Sequence, residues 1–222
     1  IMILGSLLWE YRVGLIAGLI YLSSPFPVFG ANAVSTDTLL TLWELFAVLC
    51  YFKAYRSEES KRKTVWITCM WFFFGLGFLT KGPPSLLPLL PLIIWNYTRK
   101  SRVAFFRGFG VPLFLFTGFS WFILVSMKNP HLVTYFLKTE LVDRVSSAAV
   151  HNREWYSPFT IYLPVLLAGQ GAWLYFGLRS FWKCIRSGPG KVISYIKNNE
   201  EILFIVLWII VPFLVFSISK SR

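Results

Sequence analysis

Apolar runs of about 15–22 residues follow one another along this chain, the length a helix needs to cross a hydrocarbon core. Residues 1–8 read as the end of one helix. Residues 13–29, 38–55, 64–80, 85–97, 103–125, 158–178 and 202–218 read as further spans. Paired Pro83 and Pro84 after Gly82 mark a sharp break, since Gly and Pro end helices. Pro88 and Pro91 predict a kinked or tilted 85–97 segment. No run of about ten alternating residues suggests a membrane barrel strand. The pattern predicts an all-α integral membrane protein, a polytopic helical bundle. About six or seven transmembrane helices and one longer outer loop, 126–157, are expected.

The charges sort by side. Every second loop is basic, carrying Lys53, Arg56 and Lys61–Lys63, then Arg99, Lys100, Arg102 and Arg107, then Arg179, Lys183, Arg186, Lys191 and Lys197. The positive-inside rule places these loops on the inner side. With Arg12 they account for fifteen of the 22 basic residues. The net charge of +12 is therefore a topology signal and a match to anionic headgroups. No basic domain or basic–aromatic repeat indicates nucleic acid as a partner. Only 14% of residues are charged and mean hydropathy is +0.60, which excludes an ordinary soluble domain. Trp9, Trp95, Trp155 and Trp182 near span ends fit interfacial belts. Cys50, Cys69 and Cys184 show no metal-ligand spacing and receive no role.

The sparse outer polar residues are the candidates for chemistry. Asp37, in Ser35-Thr36-Asp37-Thr38, sits where an acid caps a helix and meets its dipole. At 100° per residue it shares a face with Thr41 and Glu44. Glu44 then lies roughly 10 Å deeper along the axis. An ionisable group at that depth is a functional candidate, or the partner in an interhelical hydrogen bond. Lys81 is either a snorkelling lysine or an ammonium aimed at a lipid phosphate by the Gly-Pro-Pro that follows. The long loop carries the pair Glu140 and Arg144, the acid Asp143, then His151, Arg153, Trp155 and Tyr156. Arg binds phosphate bidentately, and aromatics cover sugar faces or mark the interface. Lys220 and Arg222 add two more bases. Lys81, Arg153, Lys220 and Arg222 together predict a cationic rim on the outer leaflet. His151 with nearby acids leaves a divalent metal open without convincing ligand spacing, so the metal ligands are unknown and no cofactor is certain.

Four segments carry a family resemblance: Ser35-Thr36-Asp37-Thr38-Leu39-Leu40, Phe78-Leu79-Thr80-Lys81-Gly82-Pro83, His151-Asn152-Arg153-Glu154-Trp155-Tyr156 and Phe216-Ser217-Ile218-Ser219-Lys220-Ser221. In order and in shared side, they resemble the lipid A aminoarabinose transferase and protein O-mannosyltransferase group, polytopic glycosyltransferases of the C-type fold. The resemblance implies transfer of a sugar from a polyprenyl-phosphate carrier to a lipid, glycan or protein acceptor. It implies a multi-pass protein of the cell membrane, a bacterial inner membrane, working at the outer, periplasmic face among membrane lipids. It implies an assisting role for Asp37, with the main catalytic base upstream of Ile1. It also implies substrate-binding roles for Lys81, Arg153, Lys220, Arg222, His151, Trp155 and Tyr156. Residues 1–222 are then expected to be a fragment of a single transmembrane glycosyltransferase domain, with parts missing at both ends. The absence of a Gly-rich phosphate loop agrees with a lipid-linked rather than a nucleotide-linked donor.

Two other readings compete. A transporter or flippase of a lipid-linked or anionic substrate would also use outer bases. It should show mid-membrane polar residues and an internal repeat; Glu44 is the one strong mid-membrane ion and no repeat is evident. A structural membrane subunit would leave the outer bases unexplained.

Overall fold

A computed structural model describes residues 1–33, 35–99, 102–129 and 157–218. Regular structure among the described residues is helical throughout. The elements are α1 (Met2–Leu8), α2 (Tyr11–Ser23), α3 (Pro25–Asn32), α4 (Thr36–Arg56), α5 (Ser60–Lys81), a 3₁₀ turn (Pro83–Leu86), α6 (Leu89–Tyr97), α7 (Gly110–Lys128), α8 (Ser157–Gln170), α9 (Trp173–Arg186), α10 (Pro189–Asn198) and α11 (Glu200–Ile218).

Four of these, α4, α5, α7 and α11, are long and apolar enough to cross a membrane, and α2 with α3 makes a fifth if the bent pair is one span. The protein is a multi-pass membrane protein. The other expected crossings are divided. α2 and α3 bend by 61° because Pro25 starts α3 and pushes Ser24 to an extended conformation (φ −80°, ψ 136°). The hydroxyls of Ser23 and Ser24 donate to Leu19 O and Ile20 O, both at 2.6 Å, which covers carbonyls at that bend. The 85–97 segment keeps only the nine residues of α6 as α-helix, about 13 Å against the ~30 Å of a hydrocarbon core. The 158–178 segment breaks into α8 and α9 around Gly171, whose φ is +55°.

The packing centre is the antiparallel hairpin α4–α5, with α6 and α11 around its basic half and α7 along the other half of α5, at Trp71, Gly75 and Phe78. Tyr51 and Phe52 of α4, Met70 and Phe74 of α5, Trp95 of α6 and Phe204 of α11 are fully or almost fully buried. Trp95, expected at an interfacial belt, is instead 1% exposed. It packs edge-on against Phe52, Tyr55 and Phe204. Packing of α6 between α4 and α11 covers the indole. α5 and α7 touch closely at Gly75, where an added Cβ would stand 1.9 Å from Thr117 Oγ1, the small-residue approach usual between membrane helices.

Buried polar groups near the basic end are paired. Tyr51 O–H and Val103 N–H both donate to Asn96 Oδ1 at 2.9 Å, and Asn96 Nδ2 donates to Val103 O at 3.0 Å. Trp95 Nε1 donates to Glu200 O at 2.8 Å and Tyr55 O–H to Glu200 Oε2 at 3.2 Å. Arg99 completes this group with an ion pair to Glu200 Oε1 at 2.9 Å. In a low-dielectric bundle an unpaired polar group is costly, so this network fixes where α11 starts relative to α4 and α6.

Candidate functional site

The opposite end of the α4–α5 hairpin carries the candidate chemistry. Ser35 is the N-cap of α4 and Asp37 its first-turn acid. The Asp37 N–H donates to Ser35 Oγ at 3.1 Å, and the Ser35 hydroxyl donates to Asp37 Oδ2 at 2.9 Å. Thr41 Oγ1 donates to Asp37 O at 2.8 Å, one turn later. Thr38 Oγ1 donates to Gly30 O at 2.9 Å, tying α3 to the start of α4. The sequence folds this way because Ser-Thr-Asp supplies the acceptors and the negative charge a helix N-terminus needs.

Lys81 is the last residue of α5. The helix stops there because Gly82 takes φ +74°, ψ −143°, a region almost reserved for glycine. Gly82 N–H donates to Phe78 O at 2.7 Å, and the buried Ser85 hydroxyl donates to Gly82 O at 2.8 Å. Pro83 and Pro84 open the 3₁₀ turn. This stiff exit places Lys81 beside the first turn of α4, and Lys81 Nζ donates to Asp37 Oδ1 in an ion pair. Both side chains remain open, 39% exposed for Lys81 and 63% for Asp37. A ligand can reach either partner.

Glu44 lies half-buried two turns below Asp37. Among the described residues its carboxylate takes part in no hydrogen bond or ion pair. Together Asp37, Thr41 and Glu44 make a polar strip down one side of the first half of α4. Neighbouring Trp43 and Phe46 turn away from it and stack on Phe73.

The sequence treated Asp37 and Lys81 as separate candidates; the fold joins them. Lys81 therefore enters any rim of bases already paired with a carboxylate. His151, Arg153, Trp155, Tyr156, Lys220 and Arg222 lie outside the described residues, as do Glu140, Asp143 and Arg144. Among the described residues no three His, Cys, Asp or Glu side chains gather as a metal site. A cavity of about 440 Å³ sits at the α2–α3 bend against α8, lined by Tyr21, Ser24, Phe26 and Gly169 among others. It contains no acid or base from the site.

Residues 1–136, more than half of the 222-residue chain, match the family described as dolichyl-phosphate-mannose-protein mannosyltransferase. The chain belongs to that family. Its relatives include an undecaprenyl phosphate-alpha-4-amino-4-deoxy-L-arabinose arabinosyl transferase 2 of Proteus mirabilis (strain HI4320). That relative is 31% identical over 231 residues, covering 100% of this chain and 39% of the relative. The arabinosyl transferase of Photorhabdus laumondii is 28% identical over 228 residues, covering 99% of this chain and 38% of the relative. The crystal structure of ArnT from Cupriavidus metallidurans bound to undecaprenyl phosphate superposes with a TM-score of 0.79 at 24% identity. It covers 100% of this chain and 39% of that one. The family's membrane fold is thus shared, and this chain spans under two fifths of the length of these relatives.

Proposed function

We propose that the protein is a membrane glycosyltransferase. It moves a sugar from a polyprenyl-phosphate carrier to a lipid, glycan or protein acceptor, and residues 1–222 form part of one transmembrane catalytic domain. The carrying observation is the exposed Asp37–Lys81 pair, held at the end of the bundle opposite the basic loops in a chain of this family. In the relatives' names the carrier is undecaprenyl phosphate and the sugar an amino-arabinose. A donor of this class is the reading those names support; lipid A or a comparable envelope molecule as acceptor follows from the family resemblance. The charge sorting supports an orientation with the Asp37 end away from the cytoplasm, and the bacterial relatives support an inner membrane with that end in the periplasm.

In the proposed reaction an acceptor hydroxyl gives up its proton to a carboxylate and its oxygen bonds to the anomeric carbon. The bond from that carbon to the phosphate oxygen breaks, and the electron pair leaves with polyprenyl phosphate. Negative charge grows on the phosphate, where a fixed ammonium or guanidinium lowers the barrier. Lys81 takes this part, with Arg153, Lys220 and Arg222 as further phosphate contacts and His151, Trp155 and Tyr156 against the sugar. Asp37 assists by holding the Lys81 ammonium in place before the phosphate arrives. No nucleotide is required, because the leaving group is the lipid phosphate itself.

The test is release of free polyprenyl phosphate from a polyprenyl-phosphate sugar by the protein in lipid, followed by mass spectrometry with an envelope extract as acceptor. Acceptor-dependent release that falls on Lys81→Ala supports the reading. Donor carried intact between leaflets would replace it with transport.

A further inference from the structure

Helices α9 and α10 carry a pattern that the catalytic reading does not use. Leu174, Leu178, Phe181 and Ile185 recur at i, i+4, i+7 and i+11, so they form one apolar stripe along α9. Arg179, Lys183 and Arg186 recur at i, i+4 and i+7 and form a second, cationic row about 140° around the helix from the first. No residue of α9 is buried. Phe181 is 63% exposed and Trp182 58%. Trp182 lies between the two stripes, and the Arg186 guanidinium stacks over its ring at 5.5 Å.

The fold places this helix. Trp173 Nε1 donates to Ser23 Oγ at 2.8 Å, fastening the start of α9 to the end of α2. From its far end the chain passes through α10, with Lys191 and Lys197, directly into Glu200. Glu200 is held by Tyr55 and Arg99. The cationic half of α9 therefore approaches the basic end of the bundle, away from Asp37 and Lys81. Sorting of charge by side asks only that a loop be basic. It does not ask that three bases share one helix flank turned away from an apolar stripe, with a tryptophan between the two. That arrangement fits the boundary between acyl chains and headgroups.

We propose that α9 is a binding site for an anionic glycerophospholipid in the leaflet at the basic end of the bundle. The lipid phosphate sits along Arg179, Lys183 and Arg186, a row about 10 Å long, where Arg can engage it bidentately and Lys as a point charge. An acyl chain lies along Leu178, Phe181 and Ile185. Lys191 and Lys197 of α10 extend the same field over neighbouring headgroups.

The test uses the full chain in phosphatidylethanolamine bilayers containing a photoactivatable phosphatidylglycerol, with a photoactivatable phosphatidylethanolamine as reference. Cross-linked peptides are mapped by mass spectrometry. The site predicts several-fold more phosphatidylglycerol than phosphatidylethanolamine adduct within residues 173–186. Substituting Arg179, Lys183 and Arg186 together by Gln should abolish that excess. Substituting Lys61, Arg62 and Lys63 by Gln, an equal loss of charge, should leave it. Equal labelling of α9 by both probes in the unaltered chain would overturn the proposal, as would no labelling there because protein covers the helix. An equal effect of the two triple substitutions would also overturn it, since that is the result of net charge alone. The unaltered chain is read first, so a variant that fails to insert does not decide the matter.

Discussion

Lys81 at the end of α5 donates to Asp37 at the start of α4. The two residues are 44 apart in sequence and meet because the hairpin brings opposite helix ends together. An acid near a helix N-terminus is stabilised by the dipole, and a base near a C-terminus likewise. Each residue is thus favoured where it stands, and pairing fixes the ammonium. An exposed pair of this kind contributes about 0.2–1 kcal/mol to stability. Its position at the open end of the bundle points to binding rather than to holding the fold.

Lys81→Ala should therefore lower kcat/KM for a polyprenyl-phosphate sugar by about tenfold or more, ~1.4 kcal/mol of lost transition-state stabilisation per factor of ten. The melting temperature should hardly move. Kinetics and a thermal melt on the same preparation check this. A large drop in melting temperature would mean that the pair is structural.

Asp37→Asn should behave differently. It keeps a side chain able to serve the α4 N-terminus but removes the charge that holds Lys81. The expected result is a raised KM for donor, with a stability loss of about 0.3–1 kcal/mol from the dipole. Donor titration beside chemical or thermal unfolding separates the two effects.

Gly82→Ala tests the turn that delivers Lys81. An added Cβ at Gly82 would meet nothing within 4 Å, so any cost is conformational and comes from the positive φ. About 1–3 kcal/mol of destabilisation is expected, read as a lower melting temperature. Unchanged stability would show that the chain leaves α5 by another route.

Glu200→Gln tests the basic-end network. Arg99, whose side chain is 9% exposed, would lose its carboxylate partner. Loss of one member of a buried pair costs about 3–5 kcal/mol; Glu200 itself is half-exposed, so about 2 kcal/mol is expected. The measurement is the thermal midpoint in detergent or lipid, compared with that of a substitution at exposed Glu58, which should leave it unchanged.

Much of this architecture was legible in the sequence. The apolar runs over 38–55, 64–80 and 202–218 became α4, α5 and α11 nearly end for end, because the ~30 Å of hydrocarbon sets helix length directly. Ser35 and Asp37 were readable as a helix start from residue chemistry alone, and Gly82 as a stop. The breaks at Ser24 and Gly171 were not read, since an apolar run has the same composition whether straight or bent. Trp95 was misplaced because position near a span end does not say whether neighbouring helices cover the side chain. The stripes of α9 were present as i, i+4 spacing but fell partly in the 158–178 span and partly in the basic loop after it. The Asp37–Lys81 contact is a tertiary fact, set by how α4 and α5 pack, and no local signal records it. The residues from His151 to Tyr156, Lys220 and Arg222 rest on the family resemblance.

In the proposed reaction Lys81 serves the phosphate of a lipid-linked sugar donor. The most direct measurement is mass-spectrometric detection of polyprenyl phosphate released by the full-length protein in lipid, from a set of polyprenyl-phosphate sugars with envelope extract present. Acceptor-dependent release of the lipid phosphate is expected from at least one donor, reduced about tenfold or more in Lys81→Ala. Release that is unchanged in Lys81→Ala, or a donor that crosses the bilayer with its sugar still attached, would contradict it.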